Sequence, residues 1–425
     1  MERYSSYKAT SMQWLKEVPS HWEERRLKTL VTCNDEALSE KLDKDTEIQY
    51  VEIGDVDQIN GIKNSTFYKF KDAPSRARRI TRVGDIIIST VRTYLKAIAY
   101  IDKQDLIVST GFAVLRPQNV LPRFLAYATM CDGFTTEVLR YSIGISYPAI
   151  SSNDLLGLKI ALPPRPEQEI IVSYLENKTS KIDAYVADKE KEIQLLQELK
   201  QKTIADAVTK GLNPKVKMKD SGVSWIGMIP EHWNLRRIKF ILSELKEKSE
   251  TGLETPLSLS KEAGIIPFQE KKNRTMESAS YVGGKIVHKG EIVFNRFRAR
   301  LFAISGYDGI VSSDYAVYKC YEIASPEYMV KLFSTDMYRE AFNRKASGIG
   351  DGFNRLYTDD LFSIYAIFPP LDEQQSIVAY IEEKCQKIDT LITELQAEID
   401  YLKEYKQRLI ADVVTGQVDV QNEMI

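Results

Sequence analysis

Pro163-Pro164-Arg165-Pro166-Glu167-Gln168 opens a run that closes on Ile204-Ala205-Asp206-Ala207-Val208. Pro369-Pro370-Leu371-Asp372-Glu373-Gln374 opens a second run, which closes on Ile410-Ala411-Asp412-Val413-Val414. Overlaid at an offset of 206, the 46 positions from Pro163 to Val208 agree at 22. Average composition would give about three matches. The chain therefore carries a duplication.

The runs read as helices. Ile388, Ile392, Leu395, Ile399, Leu402, Lys406, Leu409 and Val413 alternate steps of four and three, a heptad seam broken once by a lysine. Ile182, Val186, Lys189, Ile193, Leu196, Lys200, Thr203 and Ala207 hold the same places in the first copy. Neither run contains Pro or Gly past its opening, and Glu and Lys cover the remaining faces. A seam apolar on one side needs a partner, so the two helices are expected to pair with each other. From Ile182 to Ala207 the rise is roughly 39 Å at about 1.5 Å per residue.

The repeat also covers the regions ahead of each helix. Trp14-Leu15, Pro19, His21-Trp22 and Arg25-Arg26 recur as Trp225-Ile226, Pro230, His232-Trp233 and Arg236-Arg237. Val83-Gly84-Asp85-Ile86-Ile87-Ile88-Ser89 answers Lys289-Gly290-Glu291-Ile292-Val293-Phe294-Asn295, each a turn followed by a β-rich run. Helical spacing predicts short helices over Pro122–Arg140 and Pro326–Arg344. The fold expected is α+β: two similar, mixed, strand-rich globular domains separated by two long antiparallel coiled-coil helices, an internal pseudo-two-fold repeat. Antiparallel helices keep the connections short. The partition expected is 1–162 and 213–368 for the heads, with 163–212 and 369–425 for the helices. The chain termini should lie close together.

Composition limits the function classes. With 58 basic and 60 acidic residues the net charge is −2, so a polyanionic partner would have to be met by local clusters. No apolar run approaches a membrane span, and the polar start Met1-Glu2-Arg3-Tyr4 lacks a signal-peptide core, which points to the cytoplasm. Cys33, Cys131, Cys320 and Cys385 form no C-x-x-C pair and read as buried thiols. Of three histidines, His21 and His232 sit in the repeated His-Trp pair and read as packed or turn residues rather than bases. No H-E-x-x-H, G-x-S-x-G, P-loop or [ND]-P-P-[YF] motif occurs, so no catalytic role is expected.

The basic clusters are the informative feature. Arg76, Arg78, Arg79, Arg82, Arg92, Lys96 and Lys103 form one; Lys271, Lys272, Arg274, Lys285, Lys289, Arg296, Arg298 and Arg300 form the other, at corresponding places in the two heads. Arginine's planar fork suits phosphate oxygens or the guanine O6/N7 edge, and Thr90, Thr93, Tyr94, Phe294 and Phe297 are interleaved. The loops Ser142–Tyr147, with Gly144, and Ser347–Asn354, with Gly350 and the following Arg355, are second candidates because glycine allows close backbone approach. Two such heads on a rigid spacer would read two unlike half-sites of double-stranded DNA. The roughly 39 Å seam is near the ~34–36 Å of one duplex turn.

These residues resemble the specificity subunit of type I restriction–modification enzymes. The resemblance rests on the two W-[IL]-x-x-[VI]-P-x-H-W openings, the Ser75–Leu95 run, P-P-x-x-E-Q at both helix starts and the Ile-Ala-Asp-[AV]-Val-Thr endings. It implies two target recognition domains, each reading half of a bipartite site. It also implies two methyltransferase subunits on the helices, and translocase–nuclease subunits completing the assembly. S-adenosylmethionine, Mg²⁺ and ATP would belong to those partners and no cofactor to this chain. Arg92 and Lys96 in the first head, and Arg296, Arg298 and Arg300 in the second, are the base-reading candidates. The second head lacks the Ser75-Arg76-Ala77-Arg78-Arg79 run of the first.

Overall fold

The computed structural model of the chain describes residues 2–260, 263–271, 280–296, 301–347 and 354–423. The candidates Lys272, Arg274, Arg298, Arg300 and Gly350 lie outside them. Contacts divide the chain into Met1–Glu190 with Gln396–Ile425, and Lys191–Leu395. Each compact unit thus takes one head and a share of both long helices, so contact does not follow the four-part partition expected from sequence.

The long helices run Arg165–Lys210 and Leu371–Val414. Each begins directly after its Pro-Pro pair, because the residue before a proline is pushed out of the helical region. Every seam position named above is buried or half-buried. In the first unit the helices run antiparallel: Lys406 Nζ reaches Asp183 Oδ1 at 2.6 Å, and Lys403 Nζ reaches Glu190 Oε1 at 3.3 Å. In the second unit Lys200 Nζ meets Asp389 Oδ1 at 2.6 Å. The lysines that break the two seams are therefore equivalent, each paired with the equivalent aspartate of the other helix.

The first unit holds two four-stranded sheets. One is antiparallel, in the order Val31–Cys33, Phe112–Pro117, Ile86–Ser89, Ile98–Tyr100. The other runs Thr66–Lys69, Glu47–Val51, Leu106–Ser109, Ala77–Ile80, with its central pair parallel. Ile86, Ile87 and Ile88 are all buried, which explains the uninterrupted apolar run: both faces of that strand are covered. The helices Pro122–Met130 and Asp132–Arg140 pack Phe124 and Phe134 into the same core as Trp22, Leu27 and Leu115.

The second unit repeats the antiparallel sheet in the order Leu242–Leu245, Tyr315–Cys320, Ile292–Asn295, Phe302–Ile304. Its helices Pro326–Phe333 and Asp336–Lys345 carry Tyr328, Phe333, Tyr338 and Phe342 into the core around Trp233. Each stretch expected to form short helices thus holds two. Cys131 and Thr335 adopt extended backbone (ψ 147° and 150°) and serve as N-caps of the second helices, which periodicity alone could not reveal.

The repeated motifs meet in each unit as a joint between head and helices. The Glu167 carboxylate accepts from Tyr4 Oη (2.6 Å), Trp22 Nε1 (3.0 Å) and Gln421 Nε2 (3.0 Å), and lies 2.8 Å from His21 Nε2. Gln168 accepts from Leu121 N and donates to the Pro163 carbonyl, both at 2.9 Å. In the second unit Glu373 accepts from Trp233 Nε1 (2.9 Å) beside His232 Nε2 (2.8 Å), and Gln374 accepts from Ser325 N (2.8 Å). Both histidines are exposed turn residues whose rings lie against a carboxylate. Gly416 and Gly211 follow the two long helices at φ +71° and +75°, and a Cβ on Gly416 would fall 2.3 Å from Pro19 Cδ.

The ends of the chain meet in the first unit. Asp419 N donates to Glu2 O at 2.9 Å, and Tyr7 Oη donates to Gly416 O at 2.8 Å. All four cysteines are free thiols, and burial pushes that of Cys131 up to about 11. No helix among the described residues is long and apolar enough to cross a membrane.

Candidate nucleic-acid interface

The strand Ile86–Ser89 delivers the chain into a tight turn, Thr93–Leu95, flanked by Arg92 at φ +53° and Lys96 at φ +47°. Left-handed backbone costs a non-glycine residue about 1–2 kcal/mol, so two such residues four apart mark a site held by its surroundings. The holding groups are visible. Thr90 N and Oγ1 both donate to Gly111 O (2.8 and 2.9 Å), Thr93 N donates to Pro148 O (3.3 Å), and Thr93 Oγ1 lies 2.8 Å from Ser142 Oγ.

These bonds bring the two sequence candidates together. The turn Thr90–Lys96 and the loop Ser142–Tyr147 form one surface, with the Arg92 guanidinium 5.3 Å from the centre of the Tyr147 ring. Arg92 and Tyr94 are exposed, and Gly144 takes φ +113° at the loop tip. Exposed Arg76 reaches the same edge, since its carbonyl accepts from Thr110 N (2.8 Å) beside Gly111. Lys96 is half-buried, its Nζ 2.8 Å from Asp132 Oδ1.

Of the other arginines of the first cluster, Arg78 and Arg79 are half-buried, and exposed Arg82 is held by a carboxylate. Arg78 stacks 5.0 Å from the Phe70 ring centre and donates to Ala77 O (2.9 Å), while Arg79 has its Nε buried. Arg82 pairs with Glu36, which also accepts from Arg116 (3.1 Å); Arg116 in turn clamps buried Asp85 at 3.1 and 2.9 Å. Asp85 belongs to the Val-Gly-Asp turn of the repeat, so that motif is structural.

In the second head Arg296 is mostly buried. Its Nη2 donates to Glu244 Oε1 (2.7 Å) and Thr358 Oγ1 (3.1 Å), and Glu244 also accepts from Lys285 Nζ (2.9 Å). Burial raises the Glu244 carboxyl, but hydrogen bonds from Lys285 and Thr358 and the neighbouring cations outweigh it and hold the group below its ordinary value. The Arg296 carbonyl accepts from Leu356 N (3.1 Å), and Ser347 pairs with Arg355 (3.1 and 2.9 Å) at the base of the second glycine loop. Arg355 lies 3.5 Å from Asp314, and half-buried Lys271 follows the turn Phe268–Glu270. Arg296 thus anchors loop roots rather than projecting outward.

Sequence reading missed the anchors Glu36 and Glu244, which lie 46 and 52 residues from the arginines they hold. It also missed Ile143 and Ile145, whose signal was present: two isoleucines inside the polar stretch Ser142-Ile143-Gly144-Ile145-Ser146.

A family model described as the type I restriction modification DNA specificity domain matches residues 19–195. The EcoKI specificity subunit of Escherichia coli (strain K12) is 22% identical over 326 residues, covering 72% of this chain and 68% of that one. A chain from a structural study of complex assembly and conformational transition of the type I R-M system superposes with a TM-score of 0.70. It covers 94% of this chain and 99% of that chain at 22% identity. The HsdS subunit from Thermoanaerobacter tengcongensis gives a TM-score of 0.50 at 21% identity, with 94% and 98% covered. With its paired helix starts, its duplicated heads and these likenesses, the chain is similar to type I restriction–modification specificity subunits in sequence and in fold.

Proposed function

We propose that this chain reads a bipartite, asymmetric site in double-stranded DNA and directs adenine methylation and cleavage carried out by partner subunits. The heads, 1–162 and 213–368, act as target recognition domains. The helices, 163–212 and 369–425, space them and carry two methyltransferase subunits, with translocase–nuclease subunits joining the assembly. S-adenosylmethionine, Mg²⁺ and ATP serve the partners.

The observation that carries this reading is the Arg92–Tyr147 surface: a solvent-facing cation on strained backbone, over an aromatic ring, beside exposed Arg76 and Tyr94. Lys and Arg contacts to phosphate supply affinity that falls with salt, and a few side chains per head supply base selection. Arg92, Tyr94, Tyr147 and Arg76 take that role in the first head, together with Lys96, Ser142 and Gly144. In the second head it falls to Lys271, Arg355 and the candidates beyond the described residues, with Arg296 holding the loops.

Expressing the chain with its cognate methyltransferase subunit in a host free of DNA methylation tests this directly. Long-read mapping should find one new split motif, two unlike half-sites around a fixed gap. Absence of any motif, with the partner bound and active, would refute the proposal and favour a scaffold joining protein partners.

A further inference from the structure

Ile145 has the greatest relative exposure of the large apolar side chains described, at 103%, and Ile143 (81%) and Tyr147 (67%) stand within two residues of it. Local folding does not require them there. The hairpin is closed by backbone bonds between Ile143 and Ala149 (2.8 and 3.0 Å), and Ser142 Oγ donates to Val138 O (2.8 Å). Gly144 lets the loop turn: at φ +113°, a Cβ would come 3.2 Å from the Tyr147 carbonyl oxygen. The loop is thus built to hold two stiff, β-branched side chains in solvent, which lose little freedom when they touch a surface.

What surrounds them defines the surface. Arg92 lies over Tyr147, Tyr94 is 52% exposed, and the nearby Asp132 is taken up by Lys96. Exposed cations beside apolar tips fit a polyanion that displays apolar groups within reach of its charges. The major groove of duplex DNA offers one such group, the thymine 5-methyl, flanked by phosphates and by guanine acceptors for arginine.

We infer that Ile143 and Ile145 are specificity-determining residues of the first head that select thymine by its methyl group, with Arg92 engaging the adjoining base or phosphate. This rests on the DNA-reading proposal above. It assigns the first half-site at least one thymine that is recognised without a hydrogen bond.

The test uses the full chain bound to its methyltransferase partner and two randomised duplex libraries, one with thymine and one with deoxyuridine, which lacks the methyl. The wild-type complex should enrich a split motif from the thymine library. With deoxyuridine, one half-site should lose about three- to tenfold of its selection at one or two positions. The Ile143→Ala/Ile145→Ala variant, its melting unchanged because both side chains are exposed, should show the same loss at the same positions with thymine and no further loss with deoxyuridine. The other half-site should be unaffected.

Equal enrichment of both half-sites from the two libraries would overturn the inference, as would a double variant that selects like wild type. A variant that loses only retention on anionic vesicles or on a protein partner would do the same. If the wild-type complex enriches no motif, the DNA-reading proposal itself fails, an outcome distinct from the others.

Discussion

The Trp22 indole donates its N–H to the Glu167 carboxylate at 3.0 Å, tying the opening motif of the first head to the first turn of the helix that follows it. Glu167 is 6% exposed and also receives Tyr4 and Gln421. Glu167→Ala strands the buried donors of Tyr4 and Trp22, a change that costs about 3 kcal/mol or more. Its counterpart Glu373 has a side chain 27% exposed, so water replaces part of what is lost and Glu373→Ala should cost less than half as much. Denaturant unfolding followed by tryptophan fluorescence measures both. Equal losses would contradict this account.

Replacing Arg92 and Arg296 should separate binding from folding. Arg92→Ala, on an exposed turn, should leave the melting temperature within about 1–2 °C, because surface substitutions shift stability little. DNA affinity should fall about tenfold and, if the contact is to phosphate, the slope of log K against log salt should shrink by about 0.9. Arg296→Ala should instead destabilise the second unit by about 2 kcal/mol, since it breaks bonds to Glu244 and Thr358. Fluorescence anisotropy across a salt series and calorimetry give the two readouts.

The Glu244 carboxyl is held below its ordinary value by Lys285, Thr358 and Arg296. A carboxylate depressed in the folded state adds stability that is fully present above its unfolded pKa, about 4.5. That stability is lost as pH falls through the lower folded value. Acid unfolding of the second unit should therefore steepen below about pH 4.5. Glu244→Gln should flatten that part of the profile while lowering stability at neutral pH. An unchanged acid profile would show that the group does not contribute.

In the first unit the seam lysine Lys406 pairs with Asp183, a residue whose side chain is 59% exposed. A double-mutant cycle on this pair should give about 0.5 kcal/mol of coupling, as exposed pairs do. Lys406→Leu should be neutral or stabilising, while removing one of the contacts that specify antiparallel register. Cysteine cross-linking between neighbouring helix positions would report slipped registers in the Lys406→Leu/Lys200→Leu variant.

Much of the fold could be read in advance because the repeat leaves its mark twice. Matching seams at an offset of 206 locate both helices, and equivalent Pro-Pro pairs locate their starts. The breaks at Cys131 and Thr335 stayed hidden, because each caps a helix by backbone conformation within an otherwise helical pattern. The site was half legible. Arginine spacing made Arg92 a candidate but could not separate it from Arg82 or Arg296, whose carboxylate partners Glu36 and Glu244 lie 46 and 52 residues away. Charge pairing across strands is a tertiary property, and no local pattern encodes it. The isoleucines of Ser142–Ser146 were passed over for the opposite reason: only three-dimensional exposure shows that an apolar pair has nothing covering it.

Asp419 meets Glu2, Gln417 donates to Glu17 O at 3.1 Å, and Gln421 reaches Glu167. A stop codon just after Val414 would spare every strand and helix yet remove contacts from the head encoded at the opposite end of the gene. A late nonsense mutation would thus loosen the first unit before the second.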